Sequence, residues 1–361
     1  MPKNKIKIKK ISILITGVGG GSIGEGILKT IKLAKKPYRI VATDSASISM
    51  GFYNADAHYT VPTAADKNYI KTLLDICERE NIQILIPGSE PELKKISENR
   101  KLFEKRNILP LINDTKIINL CMDKWQTYLF LKKHDLPHPF SCLIKEKKQL
   151  ALVKKFPVVV KPVRGGSGSS NVFIAQDKEE LEFFIKYIFK QNLIPLVQEY
   201  IGSPDEEYTV GVLTTFKGEL LGSIALKRQI LKGLSNRLKV KCYKKQTKEK
   251  FLAISSGISQ GTIDNYPEVQ QYAEKIALIL KSKGPLNLQC RKTERGIFIF
   301  EINPRFSGTT PIRALAGYNE PDILIRHEFL KEKIRTPIQF KKGIAIRGLI
   351  DKYIPLEEID K

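Results

Sequence analysis

The sequence predicts an α/β fold in two parts, a doubly wound parallel sheet over residues 1–112 and an α+β region of antiparallel strands over 113–330. Three observations carry that prediction. In the first part short apolar runs alternate with helical stretches, and strands joined through helices cross over with one hand and end up parallel. In the second part several strand-like runs are separated by short turns, as antiparallel neighbours are. Finally, 361 residues at 42% hydrophobic suffice for two or three structural units with buried cores.

Taken in order, residues 11–16 (ISILIT) have the apolar character of a buried strand, and 23–33 carry apolar residues at helical spacing. A strand over 39–43, a helix over 69–79 and a strand over 82–86 that runs into PGSE follow. Beyond Asn113 the pattern changes. Residues 123–133 read as a helix broken by the prolines of LPHPF, 156–162 and 172–175 as strands, and 178–189 as a helix. Runs at 196–200, 208–213 and 220–226 are expected in one antiparallel sheet. A helix over 267–281 precedes two strands, 284–291 and 296–303, that close a hairpin around KTER. Residues 331–361 are expected as an extension packing on the second domain. There is no internal repeat, which implies a single catalytic unit.

Composition narrows the class. The cysteines Cys77, Cys121, Cys142, Cys242 and Cys290 are odd in number, scattered and without a CxxC pair, which fits neither a disulfide framework nor a zinc site and points to a reducing cytoplasm. No apolar run approaches the ~20 residues of a membrane span. The N-terminal MPKNKIKIKK leads into a strand-like run rather than a signal-peptide core, so neither export nor a membrane partner is expected. The net charge of +23 invites a nucleic-acid partner. Its lysines are spread through KIKIKK, LKKH, KEKK and KCYKKQTKEK instead of forming one aromatic-laced stripe, so a solvated surface is the better reading.

Gly19-x-Gly21-x-x-Gly24 follows a strand and opens a helix, and Asp44 closes the second strand, which is the context of a dinucleotide fingerprint. The physical content is narrower. Glycines let backbone approach an anion and a helix N-terminus favours negative charge, so a substrate carboxylate or phosphate fits equally, as does a tight turn that merely packs helix on strand. Gly20, Gly21 and Asp44, with Ser89 and Glu90 after the next strand, are candidate substrate contacts: the turn for a carboxylate, the acids for an amino group.

Phosphoryl transfer to a carboxylate needs cations for the triphosphate and a loop that excludes water. Lys161 ends the VVV strand, and Arg164, Gly165, Gly166, Ser167, Gly168 and Ser169 follow in RGGSGSS, a cation beside a loop rich in backbone donors. It is not a Walker A loop, which would end in GK[ST]. In EYTVGVL, alternation puts Glu207, Thr209 and Gly211 on one face, opposite Tyr208, Val210 and Val212. In FEINPR, Glu301 and Asn303 share a face, where a carboxylate and an amide oxygen suit hard Mg2+; proline stops the strand and Arg305 projects into the same region to stabilise transferring charge. No Ser/His/Asp or Cys/His set stands out, and His58, His134, His138 and His327 read as surface or packing residues.

On IFIFEINPR, the VVVKP strand and RGGSGSS, the chain resembles the ATP-grasp ligases over roughly residues 11–330. With Gln289 on the partner strand it is most similar to one half of the carbamoyl phosphate synthetase large subunit, which shares Gln, Glu, Asn and the NPR run; D-alanine–D-alanine ligase carries aspartate at the Gln289 position. The resemblance implies a pre-ATP-grasp domain over 1–112 and an ATP-grasp domain over 113–330, with a mobile lid at about 126–196. It implies that Gln289 joins Glu301 and Asn303 as a metal ligand and that Lys124 in MDKW reaches the phosphates. Glu199, Tyr200 and Ile201 in QEYI would form the adenine hinge, and Glu207 would bind the ribose. Cofactors would be ATP and Mg2+, with two ions and Mn2+ able to substitute. The partners would be a small carboxylate and an amine, with a homodimer allowed.

Arg228 and Arg237, in ALKRQILKGLSNR, are expected either to cover the cleft, Arg228 contacting an anionic substrate or the γ-phosphate, or to lie in a solvated loop. A full synthetase would need a second copy, an ammonia tunnel and a glutaminase, so the expectation is a stand-alone ligase that forms an acyl phosphate and passes it to an amine. The competing readings are a basic nucleic-acid-binding protein, an ATP-binding regulator without chemistry, and a nicotinamide enzyme.

Overall fold

The computed structural model describes residues 10–165, 170–231, 233–243 and 250–355. These divide into two units, one of residues up to Ile112 together with the segment from Lys352, and one of Asn113–Asp351.

In the first unit the ISILIT run forms β1 (Ile11–Thr16), and its apolar side chains are why it takes the centre: Ile13, Leu14 and Ile15 are wholly buried. It pairs in parallel with β2 (Tyr38–Asp44) on one side and β4 (Ile84–Ile86) on the other. β3 (Ala57–Thr60) and β5 (Leu109–Pro110) complete the order β3-β2-β1-β4-β5. The order reverses at β1, and the crevice at such a reversal is where open α/β sheets place ligands. Helices α1 (Ile23–Lys32), α2 (Tyr69–Arg79), α3 (Glu90–Glu98) and α4 (Arg100–Glu104) connect the strands.

Glycines at the end of β1 permit an unusually close approach. A Cβ on Gly24 would lie 2.3 Å from the carbonyl oxygens of Thr16 and Gly17, and one on Gly88 would lie 2.0 Å from Thr16 O. Backbone cannot retreat as a flexible side chain can, so Gly24→Ala is expected to destabilise the protein by about 1–3 kcal/mol, the usual range for overpacking. The midpoint of urea unfolding checks this.

The second unit contains two larger antiparallel sheets. β6 (Ser141–Leu143), β7 (Val158–Pro162), β8 (Phe173–Ala175) and β9 (Pro195–Glu199) order as β6-β9-β7-β8. The apolar stripe of α7 (Lys178–Lys190), with Leu181, Ile185 and Ile188, packs with Val158, Val160 and Val197 of this sheet. β10 (Glu207–Thr214) and β11 (Leu220–Arg228) belong to the other sheet, so the run at 196–200 does not join them as expected; its partners are β6 and β7. That second sheet adds β14 (Gly261–Asp264), β15 (Pro285–Thr293), β16 (Gly296–Asn303) and β17 (Gly343–Ala345), in the order β16-β15-β10-β11-β14-β17. Tyr208, Val210, Val212, Leu286 and Leu288 share one core with residues of α5 (Thr115–Cys121), α6 (Lys124–Lys133) and α8 (Pro267–Ile279).

β12 (Asn236–Lys241) and β13 (Phe251–Ser255) make a separate two-stranded sheet, and α9 (Thr310–Leu315) and α10 (Glu320–Glu328) follow β16. The segment expected to pack on the second domain contributes to both units. β17 pairs with β14, whereas Lys352 belongs to the first unit, where its ammonium lies 4.7 Å from the Tyr53 ring centroid.

Candidate active site

Apolar residues of β10 face the core, so Glu207, Thr209 and Gly211 point to the other face, as alternation requires. Antiparallel register extends that polar row across three strands: Glu207 opposes Arg291, Thr209 opposes Gln289 and Gly211 opposes Asn287, while Gln289 opposes Glu301 and Asn287 opposes Asn303. The register slips between Gln289 and Cys290, whose partners are Glu301 and Ile299, leaving Phe300 as an extra residue in β16. With this bulge Ile299 and Ile302 both reach the core.

Polar groups gathered on a largely buried sheet face mostly satisfy one another. Gln289 Nε2 donates to Glu301 Oε2 (2.8 Å), and Arg305 NH2 donates to Asn303 Oδ1 (3.2 Å). Lys161, on β7, is 6% exposed; its Nζ donates to Gln198 Oε1 (2.8 Å) and reaches the Phe300 carbonyl (3.5 Å). Burial, then the positive charge of Lys124, lowers the Lys161 pKa to about 8 against the opposing pull of Glu301. Lys124 begins α6, where Asp123 caps the helix, and its Nζ donates to Gly165 O (2.8 Å). The structure therefore brings Lys161 to the bulged strand that carries Glu301. The expected loop residues Gly166, Ser167, Gly168 and Ser169 lie outside the described residues.

The oxygens of Gln289, Glu301 and Asn303 are hard donors of the kind Mg2+ selects. Among the described residues there is no cluster of three His, Cys, Asp or Glu side chains, so a cation here would rest on one carboxylate, amide oxygens and oxygens from a ligand.

At the end of β9, Glu199 N donates to Phe140 O (2.8 Å), and the Glu199 carboxylate pairs with Arg295 (3.0 Å). Tyr200 Oη bonds both Ala253 N and Ala253 O, and the Arg291 guanidinium lies 4.4 Å from the Tyr200 ring centroid. Ile201 O accepts from Arg291 NH1 (2.7 Å). Glu207, expected to face a ribose, is 1% exposed: Oε1 accepts from Arg228 NH1 (3.0 Å) and Oε2 from Arg291 NH2 (3.1 Å).

Arg228 corrects the loop reading. β11 runs two residues past the expected strand end, and Arg228 is its buried last residue, 3% exposed, with NH1 also reaching Ser255 Oγ (3.0 Å) and Gln289 Oε1 (3.1 Å). It is part of the wall, not of a cover. Arg237 is exposed on β12. Arg291 escaped the sequence reading although alternation from Gln289 marks it, being two residues along the same strand.

The substrate contacts expected in the first unit are largely committed to helix starts. Gly20 and Gly21 are exposed, but Gly21 N–H donates to Glu25 Oε2 (2.8 Å), so the glycine turn already holds a carboxylate of its own helix. Asp44 Oδ1 accepts from Ala46 N (3.0 Å). Ser89 caps α3 and donates to Glu92 Oε2 (2.7 Å), and Glu90 is the first residue of that helix. Burial raises the Glu92 pKa, opposed by hydrogen bonds from Ser89, Thr16 and Tyr69.

The fold is one that carboxylases and ligases share. The biotin carboxylase domain of 2-oxoglutarate carboxylase from Hydrogenobacter thermophilus, a dimer solved with MgADP, ADP and bicarbonate, matches with a TM-score of 0.63 at 18% identity, over 91% of this chain and 72% of that one. L-amino acid ligase from Bacillus licheniformis matches with a TM-score of 0.61 at 15% identity, over 88% and 74%. In sequence, the carbamoyl phosphate synthase large chain of Helicobacter pylori is 26% identical over 349 residues, covering 87% of this chain; the match spans only 28% of that relative. Residues 13–112 match the family described as PylC-like, N-terminal domain, and residues 121–309 match the ATP-grasp domain. The chain belongs to the ATP-grasp family. No helix among the described residues is long and apolar enough to cross a membrane.

Proposed function

We propose that this protein is an ATP- and Mg2+-dependent ligase that phosphorylates a carboxylate and joins the acyl group to an amine or similar nucleophile, releasing ADP and phosphate. The observation that carries the proposal is the buried Lys161 reaching the strand of Glu301, with Gln289 and Asn303 on the same polar rows. Relatives named as an amino acid ligase and a carbamoyl phosphate synthase support it.

In this reading Lys124 and Lys161 receive the phosphates, the segment at about 126–196 serves as the lid, and Glu199, Tyr200 and Ile201 meet the adenine. Gln289, Glu301 and Asn303 would hold one or two Mg2+, for which Mn2+ substitutes. A bound divalent ion supplies neutralisation of phosphate charge. Arg305 keeps a guanidinium beside Asn303, where it can meet charge on the transferring group. No protein nucleophile is required, because phosphoryl transfer depends mainly on positioning and electrostatics. An amino-acid-like substrate is proposed. A cytoplasmic location and a homodimer complete the proposal.

The test is ADP release against pooled amino acids and small carboxylates, with and without Mg2+. Stimulation by a pool supports the ligase; a wild-type protein that no pool stimulates refutes it.

Lys161 adds a pH dependence. A phosphate favours its protonated form, so binding raises a pKa that begins at about 8. ADP affinity is therefore expected to be level below pH 8 and to fall above it, by up to about tenfold per pH unit. Calorimetry between pH 6.5 and 9.5 checks the sign, and Lys161→Met should flatten the profile.

A further inference from the structure

A buried relay joins the two ends of the candidate site. Arg291 NH1 donates to Ile201 O, and Arg291 Nε and NH2 donate to Glu207 Oε2 (3.3 and 3.1 Å). Glu207 Oε1 accepts from Arg228 NH1; the same NH1 reaches Gln289 Oε1, and Gln289 Nε2 donates to Glu301 Oε2. The chain runs without a gap from the segment proposed for the nucleobase to the oxygens proposed for Mg2+. Glu207, Arg228 and Arg291 are all buried, so a lost partner is not readily replaced by water.

This geometry argues against a ribose contact for Glu207. Both of its oxygens take charge-assisted hydrogen bonds from guanidinium groups, and at 1% exposure the carboxylate presents no open lone pair, so a hydroxyl would have to enter a desolvated pair. The Gln289 amide, by contrast, can reverse by half a turn about its Cγ–Cδ bond. With Oε1 toward Arg228 it presents Nε2 to Glu301, as seen here; reversed, it presents Oε1 to a cation beside Glu301.

We infer that Glu207, with Arg228 and Arg291, is a positioning group that couples occupancy of the Ile201 segment to the orientation of Gln289, and so to cation binding at Glu301. A nucleotide at Ile201 changes the hold of Arg291 on Glu207, Glu207 changes its share of Arg228, and Arg228 releases or retains the Gln289 oxygen. A bistable amide biased from one end is the minimum that coupling between two sites requires. The inference rests on the nucleotide site proposed above.

Calorimetry on the full chain tests it, with ADP and 2′-deoxy-ADP as probes, each with and without Mg2+. In wild type, Mg2+ is expected to strengthen ADP binding. In Glu207→Gln and in Arg291→Lys that enhancement should shrink by about tenfold, within the usual range of coupling between sites, while the preference for ADP over 2′-deoxy-ADP is unchanged. Arg291→Lys keeps a cation beside Glu207 and touches none of the proposed metal ligands; melting curves confirm that it is folded, and it serves if Glu207→Gln does not fold. If Glu207→Gln loses the ribose preference and keeps the Mg2+ enhancement, Glu207 is a ribose ligand and the inference is wrong. A folded Arg291→Lys with wild-type enhancement also overturns it. Wild-type protein that binds no ADP under any condition removes the nucleotide site itself, an outcome distinct from either.

Discussion

Glu301→Ala is expected to lower Mg2+-dependent ADP release by about a hundredfold or more, since a lost charge-stabilising group in a closed site costs roughly 3 kcal/mol of barrier. The structural loss is much smaller. Glu301 is partly exposed and accepts from Gln289 Nε2, and one such hydrogen bond contributes about 0.5–1.5 kcal/mol. The variant should therefore remain folded, with a urea midpoint near that of wild type, while turnover collapses. Equal turnover in the two proteins would move the reaction away from this strand.

Arg313→Ala should produce the largest loss of stability, about 3–5 kcal/mol, because it strands a buried carboxylate. Arg313 is wholly enclosed; its NH1 donates to Glu320 Oε1 (3.2 Å), and its NH2 reaches Asn287 Oδ1 (2.7 Å) and Thr209 Oγ1 (3.2 Å). The pair fits only because position 211 is glycine: a Cβ there would come within 2.2 Å of Glu320 Oε1 and 2.3 Å of Arg313 NH1. Removing both charges together, as Arg313→Met with Glu320→Leu, should recover most of the loss, since an apolar pair leaves no unpaired ion. Urea unfolding of wild type, single variant and double variant decides it; a single variant as stable as wild type would mean that the pair carries no net energy.

How much of this was legible depends on whether the signal was local. Periodicity placed Glu207, Thr209 and Gly211 on one face, and Glu301 with Asn303 near the end of β16. It says nothing about which strand lies alongside. The partners of β9, at 141–143 and 158–162, are set by tertiary pairing and leave no trace in the run itself. Nothing local decides between a cleft-covering and a loop position for Arg228, because its acid, Glu207, is distant in sequence and a buried ion pair leaves no local mark. The first-unit residues carry a local signal of a second kind. SIGE and SEPE both carry the Ser-x-x-Glu spacing of a capping box, one of them overlapping the glycine fingerprint. In the structure Ser22 caps Glu25 N and Ser89 caps Glu92 N.

The division of the chain at Ile112 and again at Lys352 bears on how it is made. Synthesis proceeds from the N-terminus, and domains generally fold as they emerge. Here the first unit is not a continuous stretch: the ammonium that lies over Tyr53 comes from Lys352, beyond every strand of the second unit. On the ribosome the first sheet can assemble early, but its surface at Tyr53 stays uncovered until the second unit has been translated. The order of the codons thus makes that contact a late event in folding, however near it stands to the first strands in space.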